Sequence, residues 1–459
     1  MSMRRVFKRL VPLLLVAFVL TGCGGSSEAE KLSTKPVTLK VWHVFDGSDS
    51  LRDAIKSYKT LHPNVTIEHR TLRFDEYEEE LLRAFAEGDG PDIFSVHNTW
   101  LKGYQSLMQP MPASVSIPYQ EIRGTVKKDV VYTLKEEPTI SLRRLKSEYV
   151  DVVADDVIME HKPDAQSAPE DKIWGLPLSV DSLAMYYNKD LLNAAGIPEP
   201  AASWTDFQEQ VTKLTRVGQD DTVLQSGAAI GTSRNVERAF DILSLLMMQN
   251  GTQMTDSRGF ARFGTEIDRK NLGGDALMFY TDFSNPLKEV YSWNDDQPSS
   301  FEAFVNGKTA FFFGYSYHAD LIRRANEKLD FSIVPVPQID GGRSVNYANY
   351  WVETVSKSTE NSDWAWDFIE FVSEPEQVTT YLEITKKPTA LRSLVGEQVE
   401  NEDLSVFATQ VLTAESWYRG KDALAAEKAF LDMIDEYRLS GDVKIPLRNA
   451  MTAINQTVR

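Results

Sequence analysis

Between residues 37 and 96 the chain alternates strand-like and helix-like segments, and that alternation narrows the folds open to it more than any other feature. Residues 37–45 (VTLKVWHVF) are a β-rich run, followed by Asp46-Gly47-Ser48-Asp49 and an amphipathic stretch over 51–61 that Pro63 stops. Residues 65–70 (VTIEHR) alternate as a strand does, 74–87 read as a second helix broken at Gly88-Asp89-Gly90-Pro91, and 92–96 (DIFSV) form a short apolar strand. Strands joined through helices at this spacing predict a parallel, doubly wound α/β sheet. Further on, 174–187 read as strand, 204–217 as a helix capped by Ser203 or Thr205, and 240–250 as an apolar helix closed by Gly251. Residues 301–313 run from helix through Gly307 into strand, 331–336 are a strand, and 407–439 read as two closing helices. In the helix expected over 362–373, Trp364, Trp366 and Phe368 are spaced as core anchors. Residues 109–172 carry no clear period and are read as helices plus a surface excursion.

The N-terminus is a processing segment. Arg4, Arg5, Lys8 and Arg9 precede an eleven-residue apolar run at 10–20, too short for a stable membrane span but suited to a signal-peptide core. Residues 1–22 are thus read as a signal peptide and 23–35 as a solvated tether. The whole chain has 459 residues and a formal charge of −18, and loss of the signal makes it more acidic still, so nucleic acid is excluded as a partner on electrostatic grounds. One cysteine excludes a disulfide framework and a CxxC pair. Six scattered histidines without HExxH leave no metal motif, and no cofactor is expected. With 67 acidic residues a pair of carboxylates placed for glycoside hydrolysis would arise by chance, and no GxSxG, P-loop or GxGxxG stands in the context it needs; an enzyme is not expected.

Leu20-Thr21-Gly22-Cys23 resembles the lipobox of bacterial lipoproteins, which implies that Cys23 is acylated and begins the mature chain. Several acyl chains on one residue, at ~0.8 kcal/mol per buried CH₂, give lasting attachment to a membrane.

Five further segments in register resemble the family-1 extracellular solute-binding proteins of ABC importers, the maltose-binding type. They are the opening Leu39-Lys40-Val41-Trp42-His43; Phe85-Ala86-Glu87-Gly88-Asp89-Gly90-Pro91-Asp92-Ile93; and Gly175-Leu176-Pro177 through Asp181 to Tyr186-Tyr187-Asn188-Lys189-Asp190-Leu191 with Ala195-Gly196-Ile197-Pro198. The last two are Phe304-Val305-Asn306-Gly307-Lys308-Thr309-Ala310 up to Gly314, and Ser356-Lys357-Ser358 leading into Ala365-Trp366-Asp367-Phe368-Ile369. The resemblance implies a two-lobed, periplasmic-binding-protein-like fold of type II, each lobe a doubly wound sheet flanked by helices, with hinge crossovers between them. Lobe one is expected to span 36–178 plus 352–395 and lobe two 179–351 plus 396–459. It also implies a monomer that closes on a small solute and hands it to permease subunits. Three places depart from the family pattern: a longer stretch over 111–173, Tyr where Trp often follows Gly314, and Asn349-Tyr350-Trp351 in place of a Gly-rich strand.

A sugar presents C–H faces that flat rings cover and hydroxyls that need polar partners. Loops after strands therefore supply the candidates: His43, Asp46, Asn98 and Trp100 in lobe one; Asp181, Tyr350 and Trp351 at the crossovers; and Trp293, Tyr315, Tyr317, Trp417 and Tyr418 in lobe two. Carbohydrate is the expected ligand, with a polyamine as the alternative for the same fold.

Overall fold

The computed structural model describes residues 28–124, 129–164, 166–220 and 222–458. The signal segment, Cys23 and the start of the tether lie outside the described residues. The rest of the tether is not solvated coil: Glu28–Thr34 is a helix packed against a β-hairpin.

Two hydrophobic cores organise the chain. One gathers Leu39, Val41, Phe94, Val96, Trp366 and Phe368 around a five-stranded sheet. Its strand order is Val65–Leu72, Val37–Val44, Ile93–His97, Trp351–Ser356 and Met108–Gln109. The first three strands are mutually parallel and the fourth runs antiparallel, pairing Trp351 with His97. Strand Val37–Val44 ends in four consecutive buried residues because helices cover both faces of the sheet. Helix Phe74–Glu87 starts where the Glu76 carboxylate accepts the Arg73 N–H. It stops at Gly88, whose φ of +77° is the left-handed conformation that glycine adopts without steric cost.

The second core gathers Phe207, Leu243, Phe311, Phe313 and Phe430 around a sheet ordered Arg216–Val217, Val223–Ala228, Thr309–Gly314, Ala184–Asn188 and Phe331–Val334. Helix Ala239–Gln249 is buried at every position, as its apolar residues on all sides require. Ser203 is the cap of helix Trp204–Leu214, its Oγ accepting the Asp206 N–H at 3.1 Å. Three chain segments pass between the cores side by side as a small sheet, Ala414–Glu415 parallel to Asn346–Asn349, which pairs antiparallel with Asp181–Ser182.

The reading of 109–172 as helices plus a surface excursion needs correction. The main feature there is a hairpin, Ser114–Arg123 against Asp129–Pro138, followed by helices Leu142–Glu148 and Asp151–Val157 and a second hairpin of Ile158–His161 with Glu170–Ile173. Val115 and Ile117 turn inward, and the hairpin packs on helix Ser362–Val372. Pro118 and interspersed charges hide that period of two in the sequence. The closing region also differs: Ser405–Gln410 and Ala423–Ser440 are followed by a third helix, Lys444–Thr457.

Candidate functional site

In both lobes the parallel strands end at the same edge of the sheet, and the chain reaching that edge carries aromatic and charged side chains. In lobe one the edge is marked by Phe45 after Val37–Val44, Phe74 after Val65–Leu72, Trp100 after Ile93–His97, and Trp351 where the antiparallel strand begins. Phe45 holds φ +67°, unusual for a residue with a side chain and costing on the order of 1–3 kcal/mol, and its ring is 62% exposed. It stacks on Phe74, itself 45% exposed, with centroids 5.5 Å apart and planes at 11°. Trp351 stands edge-on to both at 6.2 Å and to Trp100 at 5.4 Å, while Trp100 stacks on Tyr104 beneath. The result is an exposed flat apolar platform on a rigid aromatic base.

In lobe two, Gly314 leads into Tyr315-Ser316-Tyr317, and the loop after Val223–Ala228 leads to Arg238. Tyr317 is 49% exposed and stacks on His318 at 4.2 Å. Arg238, partly exposed, pairs with buried Asp241 at 2.6 Å and lies 5.5 Å from the Tyr315 ring centroid. The Tyr315 hydroxyl donates to the same Asp241 carboxylate at 2.6 Å, so Tyr315 positions Arg238 rather than presenting its own ring. The lobes sense each other across the gap. Burial pushes His97 of lobe one down to about 4, and the Arg238 charge adds to that shift against a hydrogen bond with Asn349. At neutral pH His97 is an uncharged polar group beside the platform.

Asp181, at the hinge, accepts from both the N–H and the Oγ of Ser316, at 3.0 and 2.7 Å, and so holds the start of the Tyr317 helix. Burial pushes its carboxyl up to about 6 despite these bonds and that of the Ser182 N–H. Asp46 is tied to Lys387 and to the Tyr381 hydroxyl; burial would raise its pKa, but the Lys387 ammonium holds it below the usual carboxylate range.

Several expected ligand contacts are corrected by their burial. Trp293 is fully buried in lobe two, its indole N–H given to Asn235 at 3.1 Å. Trp417 stacks on Phe430 and donates to Ser244 inside the same core, and Tyr418 is 2% exposed with its hydroxyl donating to the Asp422 carbonyl. His43 points into lobe one, where burial presses its pKa down but the Glu353 carboxylate at 2.8 Å wins and raises it. Trp100 and Tyr315 support the site from beneath. Asn98 and Tyr350 are also buried, and both donate to one carboxylate, Asp156, at 3.1 and 2.6 Å. That fully buried carboxylate also takes the Ser416 hydroxyl and pairs with Arg419, so it ties lobe one to two crossover segments. Sequence reading missed Phe45, Phe74, Arg238, Lys387 and Asp156. For the first three a signal existed: each follows a strand that ends at the cleft edge, where open α/β sheets bind ligands.

Among the described residues no group of His, Cys, Asp and Glu could hold a metal ion, and no helix is long and apolar enough to cross a membrane.

Residues 46–379 match the family of bacterial extracellular solute-binding proteins, and the chain belongs to that family. It is 20% identical over 389 residues to a galactooligosaccharide-binding protein of Bacillus subtilis, covering 83% of this chain and 80% of the relative. A maltodextrin-binding protein of the same organism is 25% identical over 263 residues, 54% of this chain and 58% of the relative. Among solved structures, the maltose-binding periplasmic protein of Listeria monocytogenes in complex with maltose superposes with a TM-score of 0.68 at 15% identity, over 92% of this chain and 98% of that one. The cyclic α-maltosyl-1,6-maltose-binding protein of Arthrobacter globiformis gives 0.68 at 19% identity, over 92% and 99%. The fold is the two-lobed α/β fold of maltose-binding proteins, and the family is one of binding proteins rather than enzymes.

Proposed function

We propose that this protein captures an oligosaccharide between its lobes and delivers it to the permease of an ABC importer, held at the outer face of the cell membrane by acyl chains on Cys23. The observation that carries the sugar reading is the exposed Phe45–Phe74 stack with Trp351 at its edge. Such a surface suits the C–H face of a pyranose, and Tyr317 can cover a ring from the other lobe. Arg238 and the uncharged His97, which packs on Trp351, supply donors and acceptors for hydroxyls around it. Relatives and structural neighbours named for galactooligosaccharide, maltodextrin and maltose support the same class. A polyamine is the weaker reading for this cleft, since two of its carboxylates, Asp241 and Asp46, are already neutralised by Arg238 and Lys387.

The test is calorimetric titration of the protein from residue 24 onward with malto- and galactooligosaccharides. Saturation by one of these series, with the melting temperature raised in step, supports the proposal. Ligand at 100 times its dissociation constant adds about 2.7 kcal/mol. Binding of amines at the Phe45 platform, with no glycan bound, overturns it.

A further inference from the structure

The geometry points to a second ligand site, on the outer side of lobe one, that takes a linear di- or polyamine. A cavity of about 680 Å³ lies between helix Ser362–Val372 and the segment from Val115 to Tyr149, the stretch that departs in length from the family pattern. No cleft residue discussed above lines it.

Its wall carries three carboxylates from the helix and its end, Asp367, Glu370 and Glu374, together with Glu137, Glu148, Arg144 and Arg392 and the rings of Tyr58, Tyr119 and Tyr149. Asp367 accepts the Tyr58 hydroxyl at 2.7 Å and has His62 at 3.7 Å, but burial pushes His62 down to about 4 and leaves it neutral. Glu370 accepts the Ile140 N–H at 2.6 Å. Among the described residues none of the three helix carboxylates is ion-paired with Lys or Arg; of the two guanidinium groups in the lining, Arg144 is committed to Glu148 at 2.8 Å and Arg392 to Asp151. Unpaired carboxylates in a part-buried wall are costly unless a cation joins them. Burial, with added repulsion from neighbouring acids, pushes Asp367 up to about 6 and Glu370 to about 7.

A separate feature also asks for a partner. Ser373 lines the cavity, is more than nine-tenths buried, and its Oγ has no hydrogen-bond partner; the Tyr149 hydroxyl is near enough to be felt but does not meet hydrogen-bond geometry with it. An N–H donor entering the cavity would satisfy it. The rings select the kind of cation. Tyr119 already carries the Lys135 ammonium 4.5 Å from its centroid, and His62 packs on Tyr58 and Tyr119 at 4.7 and 5.2 Å, giving apolar surface for methylene groups between charged nitrogens. The carboxylates line a wide space and do not converge as metal ligands do.

Spermidine and putrescine, titrated into the protein with the cleft saturated by the best-binding sugar, test the inference. One-site amine binding is expected, weakened at least ~10-fold in the Asp367→Asn, Glu370→Gln double variant and unchanged in Trp351→Ala. Binding should tighten from pH 5.5 to 8, because the acids facing the site (Asp363, Asp367, Glu370 and Glu374 along the helix and its end, Glu137 from the hairpin, Glu148 beyond it) outnumber the cations there, which are Arg144 paired with Glu148, Arg392 paired with Asp151, and Lys135 over the Tyr119 ring. If the double variant fails to fold, Tyr119→Leu is expected to weaken binding alone. The inference is overturned by no amine binding up to millimolar concentration, by binding indifferent to these variants, by binding lost in Trp351→Ala, or by Mg²⁺ displacing spermidine mole for mole. The amine arm stands apart from the sugar arm, so a protein that binds no sugar would refute the cleft reading and leave this one to be judged on its own result.

Discussion

Arg419, just past the crossover strand Ala414–Glu415, forms an ion pair with the fully buried carboxylate of Asp156 on a lobe-one helix. Tyr350, Asn98 and Ser416 fill the remaining acceptor positions of that carboxylate, so one side chain joins four segments at the hinge. Arg419→Met would leave the charge buried without its cation, and should cost about 3–5 kcal/mol by urea denaturation. Adding Asp156→Asn should recover part of that loss, which a double-mutant cycle measures. Additive effects would show that the pair is not coupled.

The exposed platform should be separable from stability. Phe45→Ala removes an exposed ring and relieves a left-handed side-chain position only in part, so the melting temperature without ligand should move by no more than about 2 °C. Sugar affinity should fall on the order of 10-fold or more, read by calorimetry. Trp351→Ala should lose more, because Trp351 also contacts Phe74, Tyr77, His97 and Trp100.

On lobe two, Tyr317→Ala should weaken sugar binding by about 5–50-fold while leaving the unliganded fold intact, since the ring is half exposed. Tyr315→Phe removes the hydroxyl that donates to Asp241 and loosens Arg238, so its effect on affinity should be smaller and accompanied by a measurable loss of stability, about 1–2 kcal/mol. Equal effects of the two variants on affinity would argue against the different roles given to them.

The buried acids predict a pH dependence of stability. Glu370 titrates near 7 in the folded chain, above its ordinary value, so the folded state holds more protons than the unfolded state between about pH 4.5 and 7. Its contribution is therefore most favourable below that window and is lost as pH rises through 7. Glu370→Gln keeps the acceptor for the Ile140 N–H without the charge. Without amine present, it should melt one to several degrees (about 1–3 kcal/mol) above wild type at pH 8 and level with it at pH 4.5, by calorimetric scans. A gain of equal size at both values would refute the assignment.

Membrane attachment through Cys23 is tested by Cys23→Ser. The variant should leave the membrane fraction and appear in the soluble extracytoplasmic fraction with sugar affinity unchanged. A variant that stays membrane-bound would point to another anchor.

Much of the fold is legible in the sequence because it is written in local signals. The strand-turn-helix order from Val37 to Val96, the cap at Ser203, the stop at Gly88 and the all-round apolar helix at Ala239–Gln249 each follow from period, punctuation and backbone preference over a few residues. The hairpin of Ser114–Arg123 and Asp129–Pro138 was not legible, because its inward Val115 and Ile117 count as a core face only once helix Ser362–Val372 is packed beneath them.

For the site, the sequence by itself determined which strand ends carry aromatic and charged residues. It could not rank them, because exposure is a property of packing. Trp293 and Trp417 look as available as Trp351 along the chain, yet the second core closes over both. Phe45 reads as the last apolar residue of a strand, yet a left-handed turn swings it outward onto Phe74, 29 positions away. Which rings form a surface and which fill a core was decided by contacts distant in sequence, since burial depends on what the rest of the chain brings to the same place.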